Sequence, residues 1–306
     1  MAPRLTAAPP DADRSHWRDQ HLMPATRSWT PDRSNALLFF LPALILGVFF
    51  LLPLLGIVIR SFFYNGAGLG NYRRILTDTG TLRSLLYTFE TALIVTIASL
   101  ILSYPVAFVV NRARRGVLNL AMAVIIIPFW TSSVVRTYAW IVFLQRHGIL
   151  NEVFLYLGLI SRPLKLMNSG IGTQIAMIHI MLPFMLLPLL SAMRSIDQNL
   201  LRAAAVLGAN PIRQFLYVFL PLSLSGVAAG CLLVFISSLG FYVTPALIGG
   251  PNMMVAVLIE QQASRLLDWP LASALATILL AVTCVLFFAY EAAIRRLQGG
   301  RAIGEA

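Results

Sequence analysis

Arg136 poses the sharpest chemical question in this chain. It stands in the apolar stretch 118–144 beside Ser132, Ser133 and Tyr138, and a guanidinium there is costly unless it faces water, a partner or an interface. It is either a pathway or gate residue, or an arginine snorkelling to the outer headgroups. Carboxylates near membrane depth are few, namely Glu90 and Glu260, and Glu90 reads equally well as an ordinary near-interface charge. Aromatic faces able to hold a cation are better supplied, with Trp130, Tyr138, Trp140, Phe241 and Tyr242, although aromatics at membrane interfaces are common without any ligand role. Bond-making chemistry has little to rest on. His16, His21, His147 and His179 include no pair at metal-binding helical spacing, and no serine elbow or Cys-His pairing stands out. There is no Gly-rich Lys-Ser/Thr phosphate loop, and the only lysine is Lys165. The expectation is a chain that is not an enzyme and carries no cofactor, metal or nucleotide site of its own.

The elements that position these residues are membrane spans. Of the 306 residues 58% are hydrophobic and 11% charged, with mean hydropathy +0.79, outside the balance of a soluble domain. Six runs reach the roughly 20 residues needed to cross a hydrocarbon core about 30 Å thick: 36–60, 83–110, 118–144, 170–194, 217–242 and 270–294. They are continuous rather than alternating, which excludes barrel strands and predicts an all-α bundle. Six spans put both termini on one side. That side gathers Arg4, Arg14, Arg18, Arg27, Arg33, Arg112, Arg114, Arg115, Arg194, Arg202, Arg213, Arg295, Arg296 and Arg301, so both termini are expected in the cytoplasm.

The net charge of +11 sits mostly at span edges, where anionic lipid and the insertion rule account for it without nucleic acid. Cys231 and Cys284 fall inside predicted spans as small packing residues. Residues 1–35, with five prolines and few aliphatics, read as a disordered cytoplasmic tail. The first apolar run, starting at Ala36, is too long for a cleavable leader and is expected to stay as an anchor. Residues 36–297 then form the membrane domain and 298–306 a short cytoplasmic tail. Pro128, Pro183, Pro188 and Pro245 are expected to break or bend their helices, and Gly249-Gly250-Pro251 reads as a tight outer turn, either plain or folding back toward a pathway.

Between the fourth and fifth spans the chain is patterned where a simple turn would suffice. Asp197 can cap a helix whose stripe is Leu200, Ala203, Ala204 and Leu207. Gly208 suits a left-handed cap, and Pro211 ends the helix before a second short one, 212–219. From these residues alone the segment is either an interfacial helix, with Arg202 and Arg213 on the headgroups, or a docking surface.

The spacing Ala203-Ala204, Gly208, Val218, Leu220-Pro221 resembles the Glu-Ala-Ala…Gly…Ile-x-Leu-Pro motif of permease subunits of binding-protein-dependent ABC importers. Three longer stretches, 128–140, 182–188 and 240–251, look like the spermidine/putrescine-type permease group, so the likeness covers about 36–297. One departure is Arg202, which replaces the motif's acid and reverses the charge at that contact. The resemblance implies a six-helix type I importer bundle in a bacterial inner membrane. It implies a second permease subunit, two ATPase subunits that bind ATP and Mg, and a periplasmic solute-binding protein. The 197–215 helix then becomes a coupling lever through Leu200, Arg202, Ala203, Ala204, Leu207, Gly208 and Pro211, and Trp130, Ser133, Arg136, Tyr138, Phe241, Tyr242 and Glu260 become pathway candidates. Competing readings are a membrane scaffold with a non-ATPase partner and a secondary transporter; the chain shows no internal repeat to favour the latter.

Overall fold

A computed structural model describes residues 33–63 and 68–302. The chain divides into two compact units, Met1–Leu54 and Leu55–Ala306. Of the first, the described residues are the opening turns of helix α1 (Arg33–Ser61); the expected tail lies, up to residue 32, outside the described residues. The second unit carries all later elements. These are α2 (Gly70–Thr77), α3 (Thr79–Arg112), α4 (Arg115–Trp130), α5 (Ser133–Leu144), α6 (Ile149–Tyr156), α7 (Gly170–Ser195), α8 (Gln198–Val206), α9 (Pro211–Gln214), α10 (Leu220–Leu239), α11 (Val243–Ile248), α12 (Val255–Glu260) and α13 (Trp269–Ala302). Single π turns at Phe215–Phe219 and Gln261–Arg265 follow α9 and α12. No β-strand occurs among the described residues.

Five helical runs are long and apolar enough to span: α1, α3, α7, the continuous Pro211–Leu239 run and α13. The expected third span is not one helix. It is broken between Trp130 and Ser133, and the chain turns by 100°. Local chemistry explains why the break is tolerated in an apolar layer. Pro128 cannot donate to the preceding turn. The Thr131 hydroxyl and amide then both donate to the Pro128 carbonyl, at 2.8 and 3.3 Å, and Ser132 Oγ accepts from Val134 N at 3.3 Å to open α5. Pro183 and Pro188 do not break their helix: α7 runs through both without interruption. The predicted terminal tail also changes, since α13 continues as helix to Ala302.

The core is the packing of α3, α7 and α10. Met177, Met181, Met185 and Met193 of α7 are buried against Val95 and Ala107 of α3 and Val234 of α10. Small groups permit close approach, as is usual between helices in lipid. A Cβ at Gly226 would lie 2.5 Å from Ala192 Cβ, and one at Gly230 would lie 2.8 Å from Met185 Sδ. Ser99 and Ser103 of α3 are also fully buried.

At the end of the bundle opposite α8, Arg74 Nη1 meets Asp268 Oδ2 at 2.9 Å and ties α2 to the start of α13. Asp78 caps α3, accepting from Thr81 N at 2.9 Å and Gly80 N at 3.3 Å. The Thr81 hydroxyl, followed by those two amides, holds the Asp78 carboxyl below the ordinary carboxylate range.

Candidate functional site

The α8–α9 segment is built by caps. Asp197 Oδ1 accepts from Asn199 N at 2.9 Å, which frees the chain from α7 and starts α8. At the other end Gly208 adopts φ +84°. Gly208 N donates to Ala205 O at 2.9 Å and Ala209 N to Ala204 O at 3.0 Å, a paired closure that uses the orphan carbonyls of the last turn. Asn210 Oδ1 then accepts from Arg213 N at 2.8 Å, and Pro211 occupies the first position of α9, where its missing donor costs nothing. The predicted lever of 197–215 is thus two helices. The second is continuous with the spanning helix, because α9 passes through the π turn into α10. That turn has a sequence cause: Pro221 lacks the amide that would bond Tyr217 O, and the wider turn lets Leu220 N reach Phe215 O instead.

Aromatic packing seats this segment. Phe215 and Phe219 stack at 6.0 Å, and Phe108 of α3 meets both edge-on at 5.3 and 5.2 Å. The Arg112 guanidinium lies 4.0 Å above the Phe108 ring, and Tyr104 Oη is 2.9 Å from Ser223 Oγ. A cleft of about 460 Å³ lies between Leu201, Ile212 and the Pro105–Phe108 turn.

Of the predicted stripe, Leu200, Ala203 and Leu207 face outward, whereas Ala204 is half-buried. Leu201 packs against the core. Val206, which the stripe omitted, is 88% exposed beside Leu207 at 87%. Arg202 is also exposed. The α8 surface is therefore an apolar outer edge with one cation, on a base that packs against α3 and continues into α10.

The second cluster forms where α5, α7 and α11 meet. Thr137 Oγ1 and Thr244 Oγ1, both fully buried, are 2.9 Å apart. Trp140 Nε1 donates to His179 Nδ1 at 3.2 Å. Arg136 and Ser133 share this part of α5; both are half-buried, and Arg136 Nε and Ser133 Oγ are shielded with no hydrogen-bond partner. Trp130 is 88% exposed at the end of α4, and Tyr138 and Tyr242 are exposed in this chain. Phe241 packs on the main core. Glu260 stands apart on α12, which packs against α3 and α13, and Glu90 is exposed on α3. The Gly249-Gly250-Pro251 turn leads from α11 to α12 and lies against Asn168. Sequence reasoning missed Thr137, Thr244 and His179 as members of this cluster. A histidine inside an apolar run was the one available signal.

The described residues form an all-helical bundle with a doubly capped helix pair between two long spans, the architecture of a polytopic membrane protein. The chain belongs to the family of binding-protein-dependent transport system inner membrane components, whose pattern matches residues 103–299. Within it, the chain groups with permeases of the spermidine/putrescine type. It is 37% identical over 231 residues to the spermidine/putrescine transport system permease protein PotB of Escherichia coli K12, covering 75% of this chain and 84% of that protein. It is 38% identical over 206 residues to PotB of Haemophilus influenzae, covering 67% and 72%. Its fold matches a bacterial alginate ABC transporter, solved in complex with an alginate pentasaccharide-bound periplasmic protein. That match has TM-score 0.71 at 18% identity, over 89% of this chain and 98% of that one.

Proposed function

We infer that this permease imports a small organic cation of the polyamine class from periplasm to cytoplasm, driven by ATP hydrolysis in separate ATPase subunits that carry the ATP and Mg. The solute class rests on the likeness to PotB. The direction follows the binding-protein-dependent family, and the ATPase dock rests on one observation above all: the exposed Leu200, Ala203, Val206 and Leu207 edge, capped at both ends and seated on the spans. An interfacial helix alone would not need a Gly208 closure and an aromatic base joining three helices.

In this reading two ATPase subunits bind the α8–α9 side of the bundle and of its second permease subunit, and both termini lie on that cytoplasmic side. A periplasmic binding protein loads the opposite end. Arg202 meets an ATPase groove with acidic or neutral walls in place of the usual basic contact. Closure of the ATPase pair pushes α8, the cap at Gly208 and the Pro211 start transmit the push, and the continuous α9–α10 run tilts the bundle between two discrete packings. Trp130, Ser133, Arg136, Tyr138, Phe241 and Tyr242 line or gate the path on the α5–α11 side, and Glu260 guides ammonium groups at the loading end. The test is uptake of labelled spermidine into vesicles holding the complete complex. Uptake that needs both ATP and loaded binding protein supports the reading; uptake driven by an ion gradient without ATPase subunits overturns it.

A further inference from the structure

Arg136 has no counter-charge among the described residues. Among the described residues no carboxylate pairs with it, and the acids are engaged or placed elsewhere. Asp78 and Asp197 cap helices, Asp268 holds Arg74, Glu90 and Glu152 are exposed on α3 and α6, and Glu260 and Glu291 are on α12 and α13. Its near neighbours supply dipoles only. Trp140 occupies His179 Nδ1 as an acceptor, so the neutral ring carries its proton on Nε2 and offers a donor rather than an anion. Ser133 Oγ is unbonded, and so is Arg136 Nε.

Depth makes this deficit matter. Helix α4 has 16 residues, about 24 Å at 1.5 Å per residue, counted from the Arg112–Arg115 edge. The break at Thr131 therefore falls short of the roughly 30 Å hydrocarbon thickness. The 100° turn takes α5 off the line of α4 and packs it against α7 and α11, and the shielded Nε fixes the root of the guanidinium against protein. A cation so placed calls for water or a counter-charge from beyond the described residues. On the function proposed above, on which this step rests, the solute is itself a cation and cannot supply that charge.

We propose that a carboxylate on a membrane-spanning segment of the second permease subunit pairs with Arg136 in the empty complex, and that an ammonium group of the passing solute displaces the guanidinium from it. Arg136 is then a resident stand-in for solute. It keeps the acid neutralised between cycles and weakens retention of the polycation, so release does not require pulling two bare charges apart.

The experiment uses the complete complex, co-expressed. Arg136→Glu places two acids together and lowers spermidine uptake at least tenfold. Changing each intramembrane Asp or Glu of the second subunit to Arg in that background restores uptake at one position and not at the others. Cysteines at position 136 and at that rescuing position form a disulfide in the solute-free complex. Loaded binding protein with ATP lowers its yield. Co-purification of the subunits separates loss of pairing from loss of assembly; if Arg136→Glu does not assemble, the rescuing reversal restores assembly as well. Wild-type uptake by Arg136→Gln, or no rescue at any acid, overturns the proposal. Failure of spermidine-loaded binding protein to stimulate the wild-type ATPase instead overturns the solute reading, while a disulfide in the solute-free complex from position 136 to one of those acid positions and not the others would still identify the pair.

Discussion

Gly226→Ala tests whether α7 and α10 are packed as one unit beneath the α8–α9 segment. The added Cβ would lie 2.5 Å from Ala192 Cβ, 3.0 Å from the Pro188 carbonyl oxygen and 3.3 Å from Leu189 Cα. Two of these are backbone atoms, so no rotamer change relieves the contact. Opening a 2.5 Å approach toward ordinary van der Waals distance separates the helices by about 1 Å, and overpacking on that scale costs roughly 1–3 kcal/mol. A gap of that size also forfeits a quarter to a half of each neighbouring contact. Alanine's better helix propensity returns up to ~1 kcal/mol, so the reference is Gly56→Ala in α1, where a Cβ meets nothing within 4 Å. Gly230→Ala should be milder, since its closest neighbour is the movable Met185 Sδ at 2.8 Å. Denaturant titration of the purified permease complex in mild detergent, followed by tryptophan fluorescence, gives the order Gly226→Ala below Gly230→Ala below Gly56→Ala. Equal midpoints, or Gly230→Ala as the most damaged, would refute the packing argument and with it the rigid base of the lever.

Other positions give separate readouts. A Cβ added at Gly208 would meet nothing within 4 Å, but the residue sits at φ +84°, so the penalty there is purely conformational, ~1–2 kcal/mol for an L residue; Gly208→Asn should retain much more uptake than Gly208→Val, with both inserted in the membrane, and equal activities would dismiss the cap. Leu207→Asp should leave thermal stability unchanged and remove ATPase co-purification, whereas Leu201→Asp, turned toward the core, should lower the melting temperature by several degrees; the opposite pattern would mean that α8 lies the other way round. Asp78 is held below its ordinary pKa, so its capping contribution is complete above the unfolded value near 4 and is lost as pH falls through the lower folded value. Asp78→Asn keeps a capping oxygen and should flatten the acid limb of a stability–pH profile; an unchanged limb would assign that limb to other acids.

The spans, their order and the helix pair α8–α9 were legible because each depends on local signals. Long apolar runs set the helices, Asp197 and Gly208 set the limits of α8, and Pro211 set the start of α9. A break or bend at Pro128 was legible from the proline itself, but the size of the turn was not, because average hydropathy is blind to direction: a straight helix and one turned by 100° have the same composition. Thr131 and Ser132 hinted at its position, through groups able to cap both new ends. Pro183 and Pro188 leave α7 a single helix, packed against α3 and α10, so the proline signal alone did not say which of these spans would be interrupted. The outward position of Val206 depends on how Leu201 meets the core, and the Trp140–His179 bond joins residues far apart in sequence, so neither had a local cue.

A cross-link from a single cysteine decides most sharply whether α8 is the coupling surface. In a chain with Cys231→Ser and Cys284→Ser, Leu207→Cys, 87% exposed on α8, is compared with Tyr156→Cys, 91% exposed on α6 at the end of the broken span. A short bifunctional reagent applied to the assembled complex should join position 207, but not position 156, to an ATPase subunit, with a yield that changes when ATP is added. Cross-linking from 156 to the ATPase, or none from 207, would contradict the assignment of α8 as the coupling surface.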